Sequence, residues 1–127
     1  METKLTCGDL MIGDWAKLSK GNWSEIRQLE LIDIEMIAEG VYFAEAIPLT
    51  AEILEKNGLK NYEEYPEYKI KTNEFEIWVI FDEPQNCVHV EKYDKGIPTI
   101  YHNKIMFVHE LQHALRLCGI NDKEIVL

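Results

Sequence analysis

The strictest pattern in the sequence is a two-residue alternation over residues 75–81. Phe75, Ile77, Val79 and Phe81 fall on one side of an extended strand, and Glu74, Glu76 and Trp78 fall on the other. Extended stretches flank it at Tyr68–Lys71 and, beyond a turn, at Cys87–Glu91. The pattern predicts an antiparallel sheet with one apolar face, and such a face must be covered by another element.

The N-terminal third predicts a smaller β-structure. Met11–Leu18 and Trp23–Leu31 are two strand-like stretches around a turn, and Val41–Ala44 is a third. Three short strands of this kind predict a small curled sheet, similar to part of an SH3-like barrel. The stretch Leu31–Ala38 has an apolar spacing that fits either a bent strand or one or two helical turns.

Capping residues predict two helices in the remainder. Thr50 is placed to cap a helix that Gly58 ends, because a threonine hydroxyl accepts an orphan amide and glycine adopts the left-handed conformation. Asn103 is the predicted cap of a final helix, Lys104–Cys118, and Gly119 is predicted to close it in a Schellman turn.

These elements together predict a single α+β domain spanning residues 1–127. Residues 1–46 form a small β subdomain with an SH3-like curled sheet, and residues 47–127 form an α+β part. In that second part a connecting helix leads into an antiparallel sheet, and the C-terminal helix packs on the sheet.

Charge and composition limit the classes of partner. The chain has 23 acidic and 13 basic residues and a formal net charge of −10, which repels phosphate backbones and disfavours direct binding of nucleic acid. The charge is compatible with a basic protein partner, or with a role as an acidic decoy of a basic nucleic-acid-binding protein. Ordinary solubility is the simpler explanation of the charge.

The sequence predicts a cytoplasmic protein that does not bind membranes. No apolar run reaches the length of a spanning helix, and the N-terminus lacks the residue order of a secretion signal. Cys7, Cys87 and Cys118 are far apart and form no CxxC pair, so we expect reduced thiols.

The run His109–Glu110–Leu111–Gln112–His113 matches the HExxH pattern of zinc metallopeptidases. In that pattern two imidazoles one helical turn apart hold zinc, and the glutamate between them activates the bound water. The alternative function is therefore a zinc-dependent hydrolase, with His109 and His113 as ligands and Glu110 as general base. His89 or His102 would then be a possible further ligand.

Two features of the sequence argue against this alternative. A catalytic zinc needs a third protein ligand, and only Asp122 and Glu124 follow the motif as candidates. With steps of about 100° per residue, the helix also divides into an apolar and a polar face. The apolar face has Phe107, Val108, Leu111, Ala114, Leu115 and Cys118, and the polar face, where we expect solvated side chains, has His109, Gln112, His113 and Arg116.

Three segments of the chain resemble a family of short uncharacterised proteins of phages and conjugative elements of anaerobic gut bacteria. Asp9–Trp15 is similar to the family's LRIGNWV opening, Ala46–Leu59 to its PIPLTEEILLKNGF segment, and Val108–Gly119 to its VHQLQNLYFALTG ending. Family members carry Gln at the position of Glu110 and Asn at that of His113, which implies that zinc chemistry is not inherited. The resemblance implies an accessory role in a mobile element or prophage and supplies no catalytic residue.

The preferred prediction is a non-catalytic protein-interaction module without a cofactor. The best candidate for an interaction surface is a group of aromatic residues, since tyrosine and tryptophan give a large contact area at low entropic cost. Its members are Tyr62, Tyr65, Tyr68, Trp78, Tyr93 and Tyr101, of which we single out Tyr65, Tyr68 and Trp78. Trp78 lies on the strand face opposite Phe75 and Ile77, so it must cover either the last helix or a partner, and we expect the helix.

Overall fold

Nine strands and three helices make up the part of the chain that the computed structural model describes, residues 4–58, 60–62, 65–82, 87–120 and 125–127. The strands are β1 (Lys4–Leu5), β2 (Trp15–Lys20), β3 (Trp23–Gln28), β4 (Phe43–Glu45), β5 (Lys60–Tyr62), β6 (Tyr65–Lys71), β7 (Phe75–Asp82), β8 (Cys87–Asp94) and β9 (Ile97–Ile105). The helices are α1 (Leu31–Ala38), α2 (Ala51–Lys56) and α3 (Val108–Leu117). This composition confirms the predicted α+β class.

The chain divides into two compact units. The first comprises Met1–Pro48 and Phe107–His109, and the second comprises Leu49–Met106 and Glu110–Leu127. No helix in the described ranges has both the length and the apolar character needed to cross a membrane.

The first unit contains a four-stranded antiparallel sheet in the order β1-β4-β2-β3. Ala16 and Leu18 of β2, the strand between β4 and β3, are fully buried in a hydrophobic core with Leu29, Ile37 and Ala44. The ambiguous stretch Leu31–Ala38 is helix α1, and the Asp33 carboxylate accepts the Glu30 amide at its N-terminus at 2.9 Å. Asp33 is buried and pairs with the Arg27 guanidinium, which compensates its burial.

The predicted strand Met11–Leu18 was wrong at its beginning, because β2 begins only at Trp15. The Met11 amide donates to the carboxylate of the fully buried Asp14 at 2.8 Å, and the Asp14 amide donates to the Met11 carbonyl at 3.1 Å. The aspartate therefore closes a turn where the apolar residues alone suggested a strand.

The second unit contains a five-stranded antiparallel sheet in the order β5-β6-β7-β8-β9. Ile77 and Val79 of β7 and Val88 and Val90 of β8 are fully buried, in register on one face. We call this face the inner face. Helix α3 leads to this side of the sheet, since a β-carbon at Gly119 would lie 3.5 Å from the Phe75 ring. The predicted packing of the C-terminal helix on the sheet is confirmed.

The start of the last helix was predicted wrongly. Asn103 does not cap a helix; it lies in β9, which runs to Ile105, and α3 begins at Val108. Lys104 has a φ of 56°, a left-handed value that a helix cannot contain. The ladder with β8 continues to the pair Val88–Ile105, so strand pairing overrides the capping signal of the asparagine.

The predicted caps at Thr50 and Gly119 are confirmed. The Thr50 hydroxyl accepts the Ile53 amide at 3.2 Å. The Ile120 amide donates to the Leu115 carbonyl at 2.9 Å and the Gly119 amide to the Arg116 carbonyl at 3.0 Å, which is the bond pair of a Schellman turn.

Asn57 connects helix α2 to the C-terminal segment. Its Nδ2 donates to the carbonyls of Ile53 at 2.7 Å and Val126 at 2.8 Å, and its Oδ1 accepts the Val126 amide at 2.8 Å. Asn57 is 7% exposed, so its carboxamide satisfies main-chain groups inside the second unit.

We predict that Asn57→Asp lowers the free energy of unfolding by about 2–3 kcal/mol, because the substitution removes both donors and leaves a buried carboxylate. Chemical denaturation measures the change, and Asn103→Asp at an exposed asparagine is the matched control. A loss for Asn57→Asp no greater than that for the control would contradict the role given to Asn57.

Candidate functional site

The side of the five-stranded sheet opposite the inner face carries polar and aromatic residues, and we call it the outer face. Strand alternation puts the cross-strand pairs Glu76–Tyr93, Trp78–Glu91, Ile80–His89 and Asp82–Cys87 on this face. The neighbouring strand adds Glu67, Lys69 and Lys71, which pair with Ile80, Trp78 and Glu76.

Aromatic rings run across the outer face. The rings of Trp78 and Tyr93 are 5.3 Å apart and tilted by 47°, and the Lys69 ammonium lies 4.2 Å from the Trp78 centroid. On β9, Tyr101 stacks on His89 with centroids 6.1 Å apart and planes 9° apart. We call Trp78, Tyr93 and Tyr101 the aromatic band. Tyr101 is its most accessible member at 58% exposure.

A carboxylate joins the band through a hydrogen bond. The Tyr93 hydroxyl donates to Glu91 Oε2 at 2.5 Å, and this bond raises the pKa of Tyr93. Glu91 pairs with Tyr101 across the ladder. A carboxylate therefore lies among three aromatic side chains, an arrangement that suits an incoming cation with an apolar stem.

The structure describes the side chains of only some of the predicted interaction residues. Trp78 lies on the outer face, while the side chains of Tyr65 and Tyr68, in β6, are outside the described residues. The expectation that Trp78 covers the last helix was wrong, because Gly119 beyond that helix meets Phe75, which is on the inner face. Tyr93 and Tyr101, which the sequence also grouped with Trp78, lie on the outer face through the register of β7, β8 and β9.

A second cluster lies at one end of the outer face. Asp82, Cys87 and His89 place their ligand atoms within 4.8 Å of one another. His89 Nε2 is 3.4 Å from Asp82 Oδ2 and 4.0 Å from Cys87 Sγ. Burial is the main cause that raises the pKa of the Cys87 thiol, and the charge of Asp82 adds to it. The sequence signal was Cys87-x-His89, which places both residues on one face of a strand.

Two residues of the HExxH run contact the segment just before α3. Glu110 Oε1 accepts the Met106 amide at 3.1 Å, so its carboxylate caps the N-terminus of α3. His109 stacks on Phe107 with centroids 6.2 Å apart. His109 and Gln112 are each 7% exposed, so the expectation of solvated side chains there was wrong.

The other histidines do not join this motif in a three-ligand group. Within the described ranges, Asp82, Cys87 and His89 are the one set of three possible ligands close enough to share a metal ion. His102 pairs with Val90 on the ladder and is half-buried.

We predict that Glu110→Ala lowers the free energy of unfolding by about 1 kcal/mol, the usual value of a lost helix cap. Glu110→Gln retains an acceptor for the Met106 amide and should lose less than half of that. Thermal and chemical denaturation of the two variants measure the difference. Equal losses would contradict a capping role for Glu110.

Comparison of the chain with protein-family models, curated proteins and solved structures gave no match in any of the three.

Proposed function

We propose that the protein is a non-catalytic interaction module of the cytoplasm that binds a basic protein surface with the outer face of its five-stranded sheet. The observation that carries the proposal is the aromatic band, in which Trp78, Tyr93 and the exposed Tyr101 surround the Glu91 carboxylate. Aromatic residues around a charged group are typical of the energetic centre of protein interfaces.

Charge supports a basic partner. The outer face carries the carboxylates Glu67, Glu76, Asp82 and Glu91 against the lysines Lys69 and Lys71. The whole chain has a net charge of −10, so its long-range field attracts a basic protein and speeds encounter. An arginine side chain suits both the aromatic band and the carboxylates of the outer face, because its guanidinium stacks on aromatic rings and pairs with carboxylates.

The edge of the sheet is a poorer binding site than its face. β9 is one of the two edge strands, and there Pro98 lacks an amide donor and the ladder with β8 shifts register between Val88 and Val90 and between Lys92 and Tyr93. Interruptions of this kind prevent a further strand from pairing along an edge. We therefore assign binding to the side chains of the face and not to strand addition.

The biological setting is a separate part of the proposal. The resemblance of three segments to short proteins of phages and conjugative elements supports an accessory role in a mobile element. A basic partner would fit such a role, since proteins that handle the nucleic acid of a mobile element are commonly basic. The acidic decoy is the form of this function in which binding blocks the partner's contact with nucleic acid.

The proposal is tested by NMR titration of the isotopically labelled protein with an arginine-rich peptide as a probe of a basic surface. We expect shift changes that concentrate on Trp78, Tyr93, Tyr101 and their strand neighbours, and that weaken as salt is added. Tyr101→Ser should reduce affinity about tenfold, as expected for one exposed aromatic anchor.

The matched control is Ile26→Ser, which removes an exposed apolar side chain of the first unit with 52% exposure. It should leave the affinity unchanged. Shift changes that spread over both units, or equal affinity of Tyr101→Ser and the unmodified protein, would overturn the assignment of the outer face.

A further inference from the structure

The hairpin of β7 and β8 brings three metal-ligating side chains to one point. Asp82 is the last residue of β7 and pairs directly with Cys87, the first residue of β8. His89 is two residues farther along β8, so it shares the face of Cys87. The β7–β8 ladder therefore sets the positions of all three side chains.

The distances are close to those between ligands of one tetrahedral ion. Bond lengths of about 2.3 Å to sulfur and about 2.0–2.1 Å to nitrogen or oxygen give ligand separations of about 3.6 Å for S···N and about 3.4 Å for N···O. The observed separations are 4.0 Å for Cys87 Sγ to His89 Nε2 and 3.4 Å for Nε2 to Asp82 Oδ2. The ligand atoms of the third pair, Cys87 and Asp82, lie within 4.8 Å of each other, so the sulfur and the carboxylate would move closer on binding an ion.

Both contacts of His89 involve the same nitrogen, which distinguishes a chelating site from a catalytic relay. In a relay the imidazole receives the nucleophile's proton on one ring nitrogen and is held by the carboxylate at the other. Here Cys87 and Asp82 both approach Nε2. Three lone-pair donors converge on a common point, as ligands of one ion do.

The burial of the three side chains also fits a bound ion. Cys87 is 3% exposed, whereas the side chains of His89 and Asp82 are 18% and 24% exposed, so the cluster is enclosed on the thiol side and open on the other.

We infer that Asp82, Cys87 and His89 form a binding site for a divalent transition-metal ion, with Zn²⁺ the best match and a fourth position open to solvent. One thiolate, one imidazole and one carboxylate are the three ligand types of zinc sites, and three protein ligands with an open position are a known zinc arrangement. A hard ion such as Mg²⁺ would not select the thiolate. The inference does not rest on the proposed binding to a basic protein, although the cluster lies on the same outer face and His89 stacks on Tyr101.

The test is a titration of the metal-free full chain with Zn²⁺ against a chromophoric chelator, followed by Co²⁺ absorption spectroscopy. All proteins carry Cys7→Ser, because Cys7 is an exposed thiol in the first unit that could bind metal by itself. We expect one equivalent of Zn²⁺ with a dissociation constant below about 1 µM, and a sulfur-to-cobalt charge-transfer band.

Single-ligand variants assign the site. Cys87→Ser should abolish the charge-transfer band, and Cys87→Ser and His89→Gln should each weaken Zn²⁺ binding at least about 100-fold. Because serine at a buried position can disturb folding, Asp82→Asn is the second test at a partly exposed position, and we expect weakening of at least about tenfold. Circular dichroism of each metal-free variant verifies its fold.

The matched control is the double variant His109→Asn, His113→Asn, which removes both histidines of the HExxH run. It should bind Zn²⁺ as the parent protein does. The inference is overturned if the parent shows no site tighter than about 1 µM, if Asp82→Asn and His89→Gln bind as the parent does, or if the double variant alone loses the metal.

Discussion

The register of β7 against β8 is the constraint on which the structure of the second unit depends. Ile77, Val79, Val88 and Val90 are all fully buried on the inner face only in the observed register. A slip of one residue would turn these side chains outward and put Trp78 and His89 inside. Hydrophobic burial thus determines the register, and the register in turn assembles the aromatic band and the Asp82–Cys87–His89 cluster.

Features that depend on neighbours in sequence could be predicted. The alternation over residues 75–81 indicated β7, Thr50 indicated the start of α2, and Gly119 indicated the turn after α3. In each case the physical cause lies within a few residues: a strand period of two, a hydroxyl near an orphan amide, or a left-handed glycine. The α+β class followed from the same local signals.

Features that depend on distant partners could not be predicted. Asn103 has the chemistry of a helix cap, but its segment pairs with β8 instead, and the sequence contains no local sign of that competition. Asp14 closes a turn because its buried carboxylate accepts a hydrogen bond from the Met11 amide. The HExxH run suggested a metal site because its residues are contiguous, whereas Asp82 and Cys87 become neighbours only when β7 pairs with β8.

The positions of the two buried cysteines of the second unit determine how it responds to oxidation. Cys87 begins β8 on the outer face, while Cys118 follows α3 on the inner side, near Lys92. Both thiols are free and buried, and they lie on opposite sides of the sheet. A disulfide between these two thiols would therefore require the folded second unit to open.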